Sequence, residues 1–415
     1  MPGSDRGTMP TLQQGPKAGR HWPAEATTYE DPETGTTVHR LTDYPGSDNR
    51  HLYFTEDGHF DDGRRLLFRS DRSGTRQLYS IDLASGLITQ VTDIEGFGGG
   101  TAVDHDANLV YAWVRDRDGD GRQTRPDRLV RLSLDTLRVE DTLYEVPEGY
   151  SGGSMDVNAD GSRVYLALGE AVDAPDSDDK LTGMFEAAPS TRILSVPTDG
   201  GEAETLREVD VWASSHVNAS PTRPELFTYC EEGPWDRVEN RIWTVNAETG
   251  ETWQVREVSP EGGVGHEYWL RDGERVGYHG SASDPQGRER VDDPDPFAGS
   301  ARYDDTDHRE TSLPDEVYAL THTHANTTDR VVCDGTFERI PYGLLYQWND
   351  ERGAYDGPRI LATYDWTHQG PHPHSRFSPD GEHVLFDSAR YDGSSNLYLV
   401  EVPDFADLPR YRPRT

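Results

Sequence analysis

The sequence predicts an all-β protein built as a seven-bladed propeller, and three observations carry that prediction. A unit of turn, strand, hairpin, strand, turn and strand recurs along the chain. Its spacing of about 45–60 residues is the range of propeller blades with loops added. No long amphipathic helix interrupts the series, and seven copies use the whole ordered chain as one domain over residues 20–415.

The first copy shows the unit most plainly. Residues 61–70 give a Gly-containing turn and the strand Leu66-Leu67-Phe68, residues 76–83 a second strand, and residues 86–93 a third, with polar and apolar side chains alternating and Gly/Asp at the turns. Further copies open at residues 104–111, 158–166, 220–227, 271–278, 328–332 and 378–386. The last lacks an outer strand, and the solitary strand pattern at residues 36–43 supplies it, which would close the ring without an exposed edge. A pair of β-sandwiches is the competing architecture. Residues 1–19, rich in Gly, Pro and Gln, read as a flexible leader, and residues 284–316 as an acidic insertion in the fifth copy.

Composition narrows the function classes. Against 40 Lys+Arg stand 76 Asp+Glu, a formal charge of −36, which repels both nucleic acid and anionic membranes. Lysine occurs only at Lys17 and Lys180, and a carboxylate-rich surface so poor in lysine suits a salt-loving source, where self-repulsion is screened. Cys230 and Cys333 are too few for a disulfide framework and belong to no Cys-x-x-Cys pair. No apolar run reaches the length of a membrane span or a signal-peptide core, so the default compartment is the cytoplasm.

Two kinds of ligand pattern stand out. Asp116, Asp118 and Asp120, with Asp127 at the twelfth place, match part of a calcium loop, although the twelfth residue is Asp where Glu is usual. Histidines recur at one position of the repeat: His216 before the fourth copy's turn, His266 before the fifth, His322 and His324 before the sixth, and His372 and His374 before the seventh. Segments leading into equivalent blade strands point to one end of a central channel, so imidazoles from four blades would meet there. A lone histidine is more often structural than a ligand. In His372-Pro373-His374 the rings lie two apart and share a face if the segment is extended, and Gln369 stands three residues earlier as an oxygen donor.

His216 with Ser220-Pro221, Glu232-Gly233-Pro234-Trp235, Arg241-Ile242-Trp243, Gly265-His266-Glu267-Tyr268-Trp269 with Asp272-Gly273, Asp334-Gly335, and Gln369-x-x-His372-Pro373-His374 together resemble the oligogalacturonate lyases. These are seven-bladed propeller enzymes of pectin breakdown, and the resemblance runs from about Thr36 to the C-terminus. It implies a manganese-type divalent ion held by His266, Gln369, His372 and His374, a base at His216 and an active-site arginine at Arg192. Arg50, Arg237 and His324 are further candidates for binding the substrate. The chain departs from the family at Asn218, where Gln is usual, at Glu231, where His is common, and in the fifth-copy insertion. The implied reaction is β-elimination of short oligogalacturonides, the digalacturonate above all. The alternatives are a lyase on another uronate-containing glycan and a non-catalytic binding propeller like the TolB-type repeats, which share the Ser378-Pro379-Asp380-Gly381 style of turn.

Overall fold

The computed structural model describes residues 12–116, 124–172, 180–234, 237–257, 263–281, 296–312, 323–335, 340–364, 372–390 and 393–412. They form seven separate antiparallel sheets, each of four to six strands, in sequence order around the ring. The innermost strands of blades 1 to 7 are Asn49–His51, Phe97–Asp104, Tyr150–Val157, Val217–Ala219, Gly263–Trp269, Thr323–His324 and Arg376–Phe377. The seven-bladed propeller expected from the repeats is the fold of the chain.

Alternation along the second strands explains how the blades cohere. In Arg65–Ser70, Leu67 packs into the cluster shared with blade 2, while Leu66 and Phe68 turn the other way and join Leu385, Leu397 and Leu399 of blade 7. In Leu109–Val114, Val110, Ala112 and Val114 face blade 1, whereas Tyr111 and Trp113 enter the cluster shared with blade 3. One strand with period-two side chains thus seals two interfaces, and this is why these strands are apolar at nearly every position. The core is a ring of such clusters rather than one centre.

The N-terminal segment adds strands at the seam. Thr37–Arg40 pairs with the last strand, Asn396–Glu401, with Val38 opposite Val400, and Thr27–Glu30 lies outside it. Leu397, Leu399 and Val400 are buried there. His21–Trp22 pairs with Ile88–Gln90 at the outer edge of blade 1. Of the leader expected over residues 1–19, residues 12–19 are described and are tied down: Gly15 N–H and Gly19 N–H donate to the carbonyls of Asp93 and Gln90, and Gln14 bridges the carbonyls of Val91 and Leu137.

The insertion expected at 284–316 needs correction in part. Pro296–Arg302 and His308–Ser312 are the third and fourth strands of blade 5, with Phe297, Ala298, Ser300 and Ala301 buried. The short run Phe297-Ala298-Gly299-Ser300-Ala301 was masked by the acidic residues on either side. Among the described residues, Lys180–Ala187 is the single α-helix, placed between the second and third strands of blade 3, and none is long and apolar enough to cross a membrane. Both cysteines are buried and free.

Candidate active site

All seven inner strands run the same way, so their N-terminal ends form one mouth of the channel. Tyr53 and Phe54 follow the inner strand of blade 1, Tyr53 bordering a cleft with His372 and His374, and Phe54 the larger cavity. Phe54 stacks on His324 with ring centroids 4.0 Å apart and lies 5.6 Å from His266 and 6.0 Å from His374. Around it the imidazoles form a connected set: His266 to His324 at 5.8 Å, His324 to His374 at 6.3 Å, and His374 to His372 at 5.5 Å. Blades 5, 6 and 7 thus bring their histidines to one aromatic side chain of blade 1. Tyr53 extends the set toward blade 4, with its ring 4.8 Å from His374 and 6.4 Å from His216. Burial, with Glu267 and Glu232 nearby, pushes the Tyr53 phenol above its ordinary range, so it stays protonated.

Two of these histidines occupy unusual backbone. His266 has φ 53° and His374 φ 47°, in the left-handed region where a non-glycine residue costs of order 1–3 kcal/mol. At His266 the cause is a β-bulge: Gly265 pairs with His279 and Tyr268 with Gly277, so His266 and Glu267 both oppose Tyr278. Strict alternation would separate these two side chains; the bulge lets both serve the channel. At His374 the surroundings hold the turn. Asp334 accepts the N–H groups of His374 (2.9 Å) and Ser375 (3.1 Å) together with the Ser375 hydroxyl (2.6 Å). The carbonyl of Pro373 accepts from Asp387 N–H at 3.1 Å and from His51 Nε2 at 3.2 Å. Burial lowers the His51 pKa to about 4, so the ring is neutral and can donate this bond without carrying charge.

His216 stands directly before the inner strand of blade 4, between two buried carboxylates. Its Nε2 is 3.4 Å from Glu232 Oε1 and its Nδ1 3.3 Å from Glu267 Oε1. Arg241 donates to the other oxygen of Glu232 at 2.8 Å. Burial alone would raise Glu232, but Arg241 and His216 outweigh it and hold the carboxyl below its ordinary range. A second imidazole, His279, stacks on His266 at 5.2 Å and accepts the Thr323 N–H, tying blade 5 to blade 6.

Arg50 borders a cleft of about 200 Å³ together with His51, Tyr53, His372 and His374, and its Nε lies 2.9 Å from Asp48. Arg192 is the second residue of the third strand of blade 3, pairs with Glu208 at 3.1 Å and lies over the Tyr150 ring. Arg237 pairs with Glu186 at 3.2 Å and lies over Phe185. Gln369 falls outside the described residues, as do Asp118 and Asp120. Of the calcium pattern, Asp116 accepts a bond from Arg128, and the fully buried Asp127 accepts the Gly152 N–H at 3.0 Å with Arg115 at 3.8 Å.

Sequence reasoning did not single out Tyr53, Phe54, His279 or the supporting Asp334 as site residues. Glu232, Arg241 and Glu267 appeared only as motif letters. Glu267 had a usable signal: a carboxylate beside a candidate ligand histidine.

The profile of the oligogalacturonate lyase family matches residues 17–302. The chain is similar to the oligogalacturonide lyase of Pectobacterium atrosepticum, 30% identical over 402 residues, which covers 93% of this chain and 98% of that one. It is likewise similar to the oligogalacturonate lyase of Dickeya dadantii, 28% identical over 400 residues and covering 91% and 96% of the two chains. A solved oligogalacturonate lyase in complex with manganese superposes with a TM-score of 0.78 at 26% identity, over 93% of this chain and 98% of that chain. With this match on a propeller whose histidines converge at one mouth, the chain belongs to the oligogalacturonate lyase family.

Proposed function

We propose that the protein cleaves short oligogalacturonides, the digalacturonate first among them, by β-elimination, with His216 as the base. The observation that carries this reading is the gathering of His266, His324 and His374 around Phe54, with His372 beside His374 and with Tyr53 reaching toward His216. The donor types also suit a divalent transition metal, and the His372–His374 pair comes nearest to the spacing of two ligands on one ion. Two imidazoles bound to one ion through nitrogens at about 2.0–2.1 Å would place their ring centroids roughly 5 Å apart. The 5.5 Å between His372 and His374 is close to that spacing. His266, His372 and His374, with Gln369 three residues before His372, would hold a manganese-class ion, which supplies Lewis-acid stabilisation of the uronate carboxylate.

The chain's own groups account for the remaining steps. His216 removes the proton from C5 of the uronate. The C–H electron pair becomes the C4–C5 double bond, the bond from C4 to O4 breaks, and the departing oxygen is protonated from solvent. Glu232 and Glu267 flank the ring and would stabilise the charge it acquires. Arg192, Arg50 and Arg237 would engage substrate carboxylates, which a chain of net charge −36 otherwise repels. Two buried free thiols support a reducing, cytoplasmic compartment, and the scarcity of lysine supports a saline one.

The test is the ultraviolet absorbance of the conjugated product formed from digalacturonate. Signal should appear with manganese, vanish with chelator, and be lost in folded His216→Ala. Rates indifferent to both changes would overturn the mechanism.

A further inference from the structure

The seam of the propeller carries a second constellation of ligand-type side chains. His39 lies on the N-terminal strand Thr37–Arg40, Glu401 ends the last strand Asn396–Glu401, and His383 begins the neighbouring strand His383–Ser388. The register places them on one face. His39 is opposite Leu399, two residues before Glu401, and Glu401 is directly opposite His383. Among the described residues this is the one set of three His, Cys, Asp or Glu side chains whose ligand atoms all lie within 4.8 Å of one another.

Its His39–Glu401 pair has the spacing of two ligands on one metal ion. His39 Nε2 is 3.5 Å from Glu401 Oε1, and ligands at about 2.0–2.1 Å from a tetrahedral zinc stand roughly 3.4 Å apart. The rings of His39 and His383 are 6.4 Å apart and tilted by 51°. Thr28, opposite His39 on the adjoining strand, contacts His39 Nδ1 through its hydroxyl at 2.9 Å. With Nδ1–H donating to that oxygen, the lone pair of Nε2 faces Glu401, which is how outer groups orient a ligating imidazole. Both imidazoles are half-buried and Glu401 is exposed, so water can take the fourth position.

We infer that His39, His383 and Glu401 form a zinc-class divalent metal site that staples the N-terminal strand to the last blade. Two imidazoles and one carboxylate are the donor type suited to zinc. Because His39 meets His383 and Glu401 only when the ring is closed, bound metal stabilises the closed propeller by mass action.

The experiment uses the full chain stripped with chelator, reloaded with zinc, desalted and analysed for metal per chain, with thermal unfolding in parallel. The parent should retain one more equivalent than the double variant His39→Ala/His383→Ala. Zinc near 100 times its dissociation constant should raise the parent's unfolding midpoint by about 3 °C beyond the rise in that variant. Thr28→Val, a surface change that spares all three ligands, should weaken zinc binding about 10–100-fold. Cobalt substituted for zinc should add a visible d–d band in the parent that the double variant lacks. Manganese-supported lyase activity should be unchanged in all of these variants. Equal stoichiometry, equal midpoint shifts and equal cobalt spectra in parent and double variant would overturn the assignment. So would zinc affinity indifferent to Thr28→Val, should the double variant fail to fold.

Discussion

The two ends of the channel are made from the same seven inner strands, yet they are chemically opposite. At the N-terminal ends, imidazoles and aromatic rings gather beside a cleft of about 200 Å³. At the C-terminal ends lies a larger cavity of about 380 Å³, bordered by Glu56, Asp57, Asp104, Asp156 and Arg376. There Glu56 pairs with Arg69 at 3.0 Å and Asp57 with Arg376 at 3.3 Å, while Asp104 and Asp156 accept backbone N–H groups. Burial raises the Asp156 pKa from 3.8 to about 7. A polyanionic sugar has no reason to enter such a cavity. Under the proposed function, the donor atoms at the smaller opening, rather than cavity volume, mark the site.

The comparison breaks most decisively at His216. His216→Ala should lower kcat/KM about 10²–10⁴-fold in a protein whose circular dichroism is unchanged, the range for loss of a positioned general base. A smaller effect would move the base elsewhere in the mouth.

Next in size is the support beneath His374. Asp334→Asn removes acceptor capacity from a side chain that holds two backbone N–H groups and a hydroxyl around a left-handed residue. Metal affinity, measured by titrating manganese into stripped enzyme, should fall about 10–100-fold, and excess manganese should restore part of the activity. If Asp334 mattered only to the packing of the blade, activity would stay low at every metal concentration.

Arg50→Ala should act on binding alone. A charged hydrogen bond to a substrate carboxylate is worth enough to raise KM about tenfold while kcat stays constant. Steady-state kinetics on the digalacturonate decide this, and an unchanged KM would remove Arg50 from the substrate contacts.

The smallest effect on activity belongs to the opposite end. Because the folded-state pKa of Asp156 is raised, its carboxyl contributes stability that is complete below pH 3.8 and is lost as pH rises through about 7. Asp156→Asn cannot ionise, so its unfolding midpoint should improve relative to the parent from about pH 5 to about pH 8. Its kcat/KM should stay within about twofold of the parent. A large loss of activity would mean that the two ends are not separable.

Much of the fold was legible because blade strands declare themselves locally. Leu66-Leu67-Phe68 and Val110-Tyr111-Ala112-Trp113 must satisfy neighbours on both faces, so their apolar character repeats at each copy. Inner strands are harder to read, since they face the channel and carry Gly, Ser, Thr and His instead. Pro296–Arg302 was hidden by its acidic surroundings, and the seam strand Thr27–Glu30 is too short and polar to be read from pattern. Similarly, Asp127 looked like a calcium ligand in sequence, whereas its carboxylate faces Gly152 N–H and Arg115.

Sequence alone determined the repeat, the number of blades and the recurrence of histidine at one position of the repeat, since each depends on residues near one another in the chain. Only the tertiary structure decided that Phe54 would lie among imidazoles from three other blades, that a bulge would turn both His266 and Glu267 to use, and that Asp334 would hold the backbone at His374. The contacts of Phe54 and of Asp334 join residues from 40 to more than 300 positions apart. They follow from strand pairing and blade packing, which no local preference encodes: Asp334 reaches His374 only when blades 6 and 7 stack, and Phe54 reaches the imidazoles of blades 5 to 7 only when the ring closes.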